Sequence, residues 1–164
     1  MITAARVTTV VMAALGLAGF SAAPAAAEAA NGDMVPLGAK YRSCDFTKLN
    51  FVSPTGAGSG TAVIGTGGTN TVTAEVFLAI AIPNTPYQVR LIQGPLPRTQ
   101  KCNAGDPGVT STVMNTDGNG VGRVTLRAAV RPGATNAWVF IDGPPDIGQI
   151  RGEYYTSDLL TSLQ

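Results

Sequence analysis

Much of the chain beyond residue 40 alternates between apolar and polar positions. In TVTAEVFLAIAIP (71–83), Val72, Ala74, Val76, Leu78, Ile80 and Ile82 fall on one side of a two-residue period, and Thr73, Glu75, Phe77, Ala79 and Ala81 fall on the other. That period predicts a half-buried strand. Ala, Glu and Leu would tolerate a helix, but the Val, Thr and Ile content favours the strand, because branched side chains lose rotamer freedom in a helix. Pro83 and Pro86 force the exit. YQVRLIQG repeats the pattern, with Tyr87, Val89 and Leu91 inward and Gln88 and Arg90 outward. In RVTLRAAVR, Val124, Leu126, Ala128 and Val130 share a face. KYRSCDFTKLNFV (imperfectly alternating), TAVIG, TSTVMNT and IRGEYYTS are further strand candidates. AWVFI is apolar on both faces and is predicted to lie centrally.

Turn signals separate most of these segments. SPTGAGSG, GPLPRTQKCNAGDPG and DGPPDIGQ read as loops because glycine and proline punctuate them. Gly67-Gly68 suits a tight hairpin turn and Pro132-Gly133 the centre of a type II turn. DLLTSLQ reads as a frayed tail or a short terminal turn. The total of seven or eight short strands predicts an all-β domain, either an immunoglobulin-like β-sandwich or a small barrel. It is expected to occupy residues 40–164 as a single domain. Residues 28–39, with NGDMVPLGA, show no periodicity and read as a flexible lead-in.

The first 27 residues change the picture. Arg6 precedes an apolar run from Val7 to Phe20, and Ala25-Ala26-Ala27 fits the A-x-A pattern of a signal peptidase site. The run is shorter than the roughly 20 residues of a permanent bilayer span. A cleaved signal peptide over 1–27 is expected, leaving 164 − 27 = 137 residues, with no permanent membrane span. The chain has 11 basic and 10 acidic residues, so loss of Arg6 leaves them balanced. Without clustered Lys and Arg, a nucleic-acid surface is not expected. Cys44 and Cys102 are predicted to pair in an oxidising compartment. On the chain-entropy model, closing that loop contributes about 4 kcal/mol. Trp138 lies after both cysteines, unlike the cysteine–tryptophan–cysteine order of a true immunoglobulin domain.

The chemistry is restricted. The chain contains no histidine, which removes the usual base near neutral pH and the commonest metal ligand. Histidine-assisted triads, histidine-bearing zinc or copper centres and haem ligation through histidine are excluded. A serine–lysine pair would have to use Lys40, Lys48 or Lys101, none suggestively placed. Asp142, Asp146 and Glu153 are the candidate carboxylates for glycoside hydrolysis, which depends on their separation. The turn TDGNGVG resembles the start of a calcium loop. From Asp117, however, position five is Val121 and position twelve is Ala128, where oxygen ligands belong. A hairpin turn accounts for the same residues. The G-x-G runs lack the setting of a phosphate loop. No catalytic residue, metal ligand or cofactor is therefore assigned. Trp138, Tyr154 and Tyr155 are the candidates for ligand contact, through rigid amphipathic rings. Tyr154 and Tyr155, being adjacent in a strand, are expected to face opposite ways, one of them outward. The small residues of AIAI leave room for a lipid pocket between sheets.

The segment AWVFIDGPPDIGQIRGEYYTSDLLTSL (137–163), with the export signal, resembles small secreted proteins of mycobacteria and related actinobacteria. TDGNGVGRVTL resembles turns of exported bacterial β-sandwich modules. The resemblance implies a cell-envelope or extracellular location and carries no activity. The leading expectation is a secreted, non-enzymatic binding module for a protein, glycan or lipid. The alternatives are a carboxylate-dependent hydrolase acting on glycans and a structural envelope protein without a discrete ligand.

Overall fold

The computed structural model describes residues 32–163 except 69 and 146. Residues 1–27, expected to be a signal peptide, therefore lie outside the described residues. Among the described residues nine strands form one sheet: β1 (Gly32–Gly38), β2 (Ser59–Gly67), β3 (Thr71–Ala79), β4 (Pro86–Gly94), β5 (Val109–Asn115), β6 (Gly122–Ala129), β7 (Asn136–Asp142), β8 (Tyr154–Ser157) and β9 (Thr161–Ser162). The order is β5-β4-β7-β8-β1-β2-β3-β6, with β9 paired to β7. The paired strands run antiparallel. The sheet curls until β5 and β6 lie side by side, giving a near-closed barrel. Of the two architectures the pattern allowed, the molecule adopts the barrel.

Alternation accounts for the interior. Val72, Ala74, Val76 and Leu78 of β3 and Tyr87, Val89 and Leu91 of β4 are buried in one cluster with Ile64, Met114, Leu126, Val139, Ile141 and Tyr155. The face of β3 ends sooner than its pattern predicts. Ile80 adopts a left-handed backbone (φ 59°) and is 69% exposed, while Ala81 after it is buried in the core, so the alternation breaks at Ile80 and AIAI does not border a lipid pocket between sheets.

Three other segments depart from expectation. Gly32–Gly38, read as part of a flexible lead-in, is β1, paired with β2 over Gly32–Leu37. It shows too little alternation because only Val35 and Leu37 of it are buried. Residues 41–52 form no strand. They make a small hairpin with one bridge, Arg42 to Lys48, around a left-handed Phe46 (φ 68°). The Asp45 carboxylate accepts bonds from the Ser43 hydroxyl and the Thr47 amide and hydroxyl there, and the Ser43 bond holds its pKa below the usual value. The tail contributes β9. In the β2–β3 turn, Asn70 takes the left-handed conformation (φ 55°), while neither Gly67 nor Gly68 does.

The long β1–β2 connection, 39–58, covers the outside of β4, β7 and β8. Its Tyr41, Cys44, Phe46 and Val52 pack with Ile92, Trp138, Phe140 and Tyr154 in a second apolar cluster. β7 is consequently covered on both faces, as its composition predicts. The disulfide Cys44–Cys102 ties this covering segment to the β4–β5 loop, with a Cα separation of 5.7 Å.

Between β5 and β6 there is no hydrogen-bonded ladder. Two devices hold them. Residues 116–121 form a tight turn at one end. At the other, Gln93 of β4 reaches across, donating from Nε2 to the Ala129 carbonyl (2.9 Å) and accepting at Oε1 from the Arg131 amide (2.8 Å). Gln93 is buried, so its amide side chain supplies the backbone pairing that β5 is too short to provide.

Candidate functional site

The β7–β8 loop, residues 143–153, separates two recesses at one end of the barrel. Its sequence, GPPDIGQIRGE, is rich in residues that disfavour a regular ladder. The loop is anchored at both ends: the Gly143 amide donates to the Glu153 carbonyl (2.8 Å), and the Thr55 hydroxyl donates to the Gly152 carbonyl (3.0 Å). A Cβ at Gly152 would come within 2.2 Å of the Pro144 carbonyl oxygen, so only glycine fits that approach. Between the anchors, Ile147 and Ile150 stand almost wholly in water, at 106% and 95% exposure.

The outer recess, about 180 Å³, lies between this loop and the barrel wall, lined by Tyr41, Arg90, Phe140, Asp142, Arg151 and Tyr154 among others. Tyr41 meets Phe140 and Tyr154 edge-on, with ring centroids 5.4 and 5.2 Å apart. The Arg90 guanidinium lies 4.2 Å from the Phe140 ring centre, and that of Arg151 lies 4.4 Å from Tyr41. Arg90 also pairs with Asp142 and donates to the Cys102 carbonyl (2.9 Å). Its charge is thus committed within the protein. Arg151 is exposed, and among the described residues it makes no carboxylate pair.

The inner recess, about 270 Å³, opens at the barrel mouth and is lined by Thr55, Gly56, Ile82, Pro144, Gln149, Gly152 and Glu153. Glu153 is held by two tyrosines. Tyr87 and Tyr155 each donate a hydroxyl hydrogen bond to its Oε2, the second at 2.9 Å. Tyr87 oxygen accepts from the Ile82 amide (3.1 Å), and Tyr155 oxygen from the Gly58 amide (2.9 Å). The cluster therefore ties together the loops that enter β2, β4 and β8. Burial, reinforced by Glu153, pushes both phenols well above their ordinary pKa. Burial also raises that of Tyr154.

The nominated residues separate on this geometry. Cys44 and Cys102 are bonded. Trp138 is 1% exposed and lies against Phe46 (centroids 5.4 Å apart) inside the outer cluster. It is a packing residue, because the covering segment seals the face it occupies. Tyr154 and Tyr155 do face opposite ways, but neither is on the surface: Tyr154 belongs to the outer cluster and Tyr155 to the interior. The expectation that one would be exposed fails because β8 too is covered on both sides. Tyr154 still forms a wall of the outer recess, with its hydroxyl donating to the Ser53 carbonyl. Asp142 and Glu153 have adjacent backbones, yet their carboxylates point to opposite sides of the barrel wall. Asp142 joins Arg90 outside, and Glu153 joins Tyr87 and Tyr155 inside. Asp146 lies outside the described residues. Asp117 serves its own turn, its Oδ1 accepting from the Asn119 and Val121 amides at 2.8 and 2.9 Å. Among the described residues, no three His, Cys, Asp or Glu side chains gather as a metal site, and no helix is long and apolar enough to cross a membrane.

The sequence reading missed Tyr87 and Arg90 as members of these sites. Tyr87 was recognisable as inward, but its partner lies 66 residues away. Arg90 looked like a solvent-facing strand residue, since nothing local announces the segment that covers it. No family model matches the chain, nor does any curated protein or solved structure.

Proposed function

We propose that the chain is an exported, non-enzymatic binding module of the cell envelope or extracellular space, similar in kind to small secreted actinobacterial proteins. The observation that carries this reading is the 143–153 loop. It is anchored at both ends, holds two isoleucines in water, and overhangs an aromatic recess where the Arg151 guanidinium lies on the Tyr41 ring. Exposed apolar groups on a fixed loop are costly to keep unless something covers them. Tyrosine with arginine suits protein or glycan surfaces. The A-x-A segment and the disulfide support export. A paired-carboxylate hydrolase is the weaker reading, because Asp142 and Glu153 do not address a common substrate atom.

The test uses the full chain expressed in a bacterial host. N-terminal sequencing of the protein recovered outside the cytoplasm is expected to begin at residue 28. Washed envelope fractions are then titrated with it. Saturable retention that falls at least about tenfold in the Ile147→Ser/Ile150→Ser double variant, but not in Met34→Ser, supports a binding module. Non-saturable retention would identify a structural envelope protein. Release of reducing sugar from envelope glycans that is lost on Glu153→Gln would identify a hydrolase.

A further inference from the structure

We infer that the inner recess at the barrel mouth is a binding site for a primary ammonium group carried on a short aliphatic stem. This concerns the other side of the loop from the surface proposed above and stands whether or not that surface binds anything.

Glu153 carries the assignment. Both tyrosine hydroxyls bind its Oε2, and neither bond uses Oε1. The carboxylate is thus oriented on one side and available on the other, where it borders a recess of about 270 Å³. No lysine or arginine among the described residues pairs with it, and none lines the recess. The recess therefore has a fixed acceptor and no internal cation to occupy it. Arg151 is stacked on Tyr41 on the far side of the loop.

The remaining lining completes the selectivity. Gln149 offers a second acceptor, and Ile82 and Pro144 offer apolar surface for a stem. Residues 56 and 58 are glycines, which lets the Tyr155 hydroxyl pack close against their backbone and stay directed at Glu153. A Cβ at either would lie 2.5 or 2.6 Å from the Tyr155 hydroxyl oxygen. The volume lies below the roughly 300 Å³ at which drug-sized pockets begin, which suits a head group and a few methylenes. An ammonium presents three donors, matching a carboxylate and an amide carbonyl. An anion would meet Glu153 directly.

The disulfide-intact protein, isotopically labelled, is titrated with n-butylammonium chloride and followed by the amide signals of Gly56 and Gly152. A saturable shift with a dissociation constant on the order of millimolar is expected for so small a ligand. 1-Butanol is expected to bind at least about tenfold more weakly, and methylammonium more weakly than butylammonium. Glu153→Gln is expected to abolish the shift, and Asp142→Asn, on the outer face, to leave it within about twofold. Should Glu153→Gln disturb the mouth, Ile82→Ala gives a second reading: weaker butylammonium binding with methylammonium unchanged. Nα-acetyl-lysine N-methylamide separates the natural sources. Binding equal to butylammonium supports the site with a peptide lysine as its ligand, and exclusion supports it with a free amine. No saturation by butylammonium, equal binding of butanol, or equal loss in Asp142→Asn would overturn the assignment.

Discussion

Ile80 is a branched, exposed residue held at positive φ, a conformation its side chain resists. The Ala81 amide, donating to the Gly120 carbonyl at 3.2 Å, fixes the bend after it. Such backbone strain costs on the order of 1–3 kcal/mol. Ile80→Asn is expected to stabilise the protein by about 1 kcal/mol, read as a higher urea midpoint. The tyrosines of the mouth make a second prediction at this scale. Below about pH 10, the ordinary phenol value, Tyr87 and Tyr155 are protonated in both folded and unfolded chains. Above it the unfolded chain releases their protons while the folded chain retains them, so stability falls as pH rises toward the elevated folded values. Urea midpoints measured from pH 8 to 11 are expected to decline, with a shallower decline in Tyr155→Phe. A flat profile in the parent protein would contradict the burial of these groups.

β7 shows why an element can be legible while its role is not. NAWVFID carries apolar residues on both faces, and that composition alone implies two covered sides. The Trp138 face is covered by residues 39–58, whose own sequence suggests a strand. The mismatch is physical: KYRSCDFTKLNFV has aromatics spaced to pack outward onto β7, and Asp45 with Phe46 bends the chain too sharply for a ladder. β1 was hidden for the complementary reason, having two buried side chains and a pairing partner, β8, more than a hundred residues away in sequence. Trp138→Ala is expected to cost about 3–5 kcal/mol by emptying the centre of the outer cluster. The cross-link that fastens the covering segment constrains a separation of 58 residues. Replacing both cysteines by alanine is expected to cost about 4 kcal/mol, or less where the unfolded chain retains structure. Indole fluorescence should shift to the red in the alanine pair at denaturant concentrations where the parent is still native.

At the scale of the whole molecule, strand number, turn density and the disulfide could be read in the chain, but closure could not. Alternation tells which side of a strand is wet, and it is the same for a sandwich and a barrel. What distinguishes them is how the last edges meet, and here that depends on Gln93, a polar residue buried at the end of an apolar strand. Gln93→Leu leaves the Ala129 carbonyl and the Arg131 amide without their partner and is expected to cost about 2 kcal/mol. Amide exchange across β5 and β6 should then accelerate more than across β2 and β3.

The meeting of β5 and β6 without a ladder has a consequence for how the chain may be cut. The wall is a ribbon bent into a ring, and residues 116–121 are the stitch at one rim, with Gln93 clasping the other. Proteolytic nicking there would leave the two ends held only by the Gln93 clasp, whereas a nick within 95–108 would sever only a peripheral strap still riveted by sulfur. A permuted gene opened at the stitch should yield a sheet with two bare borders, prone to dock onto a sister molecule.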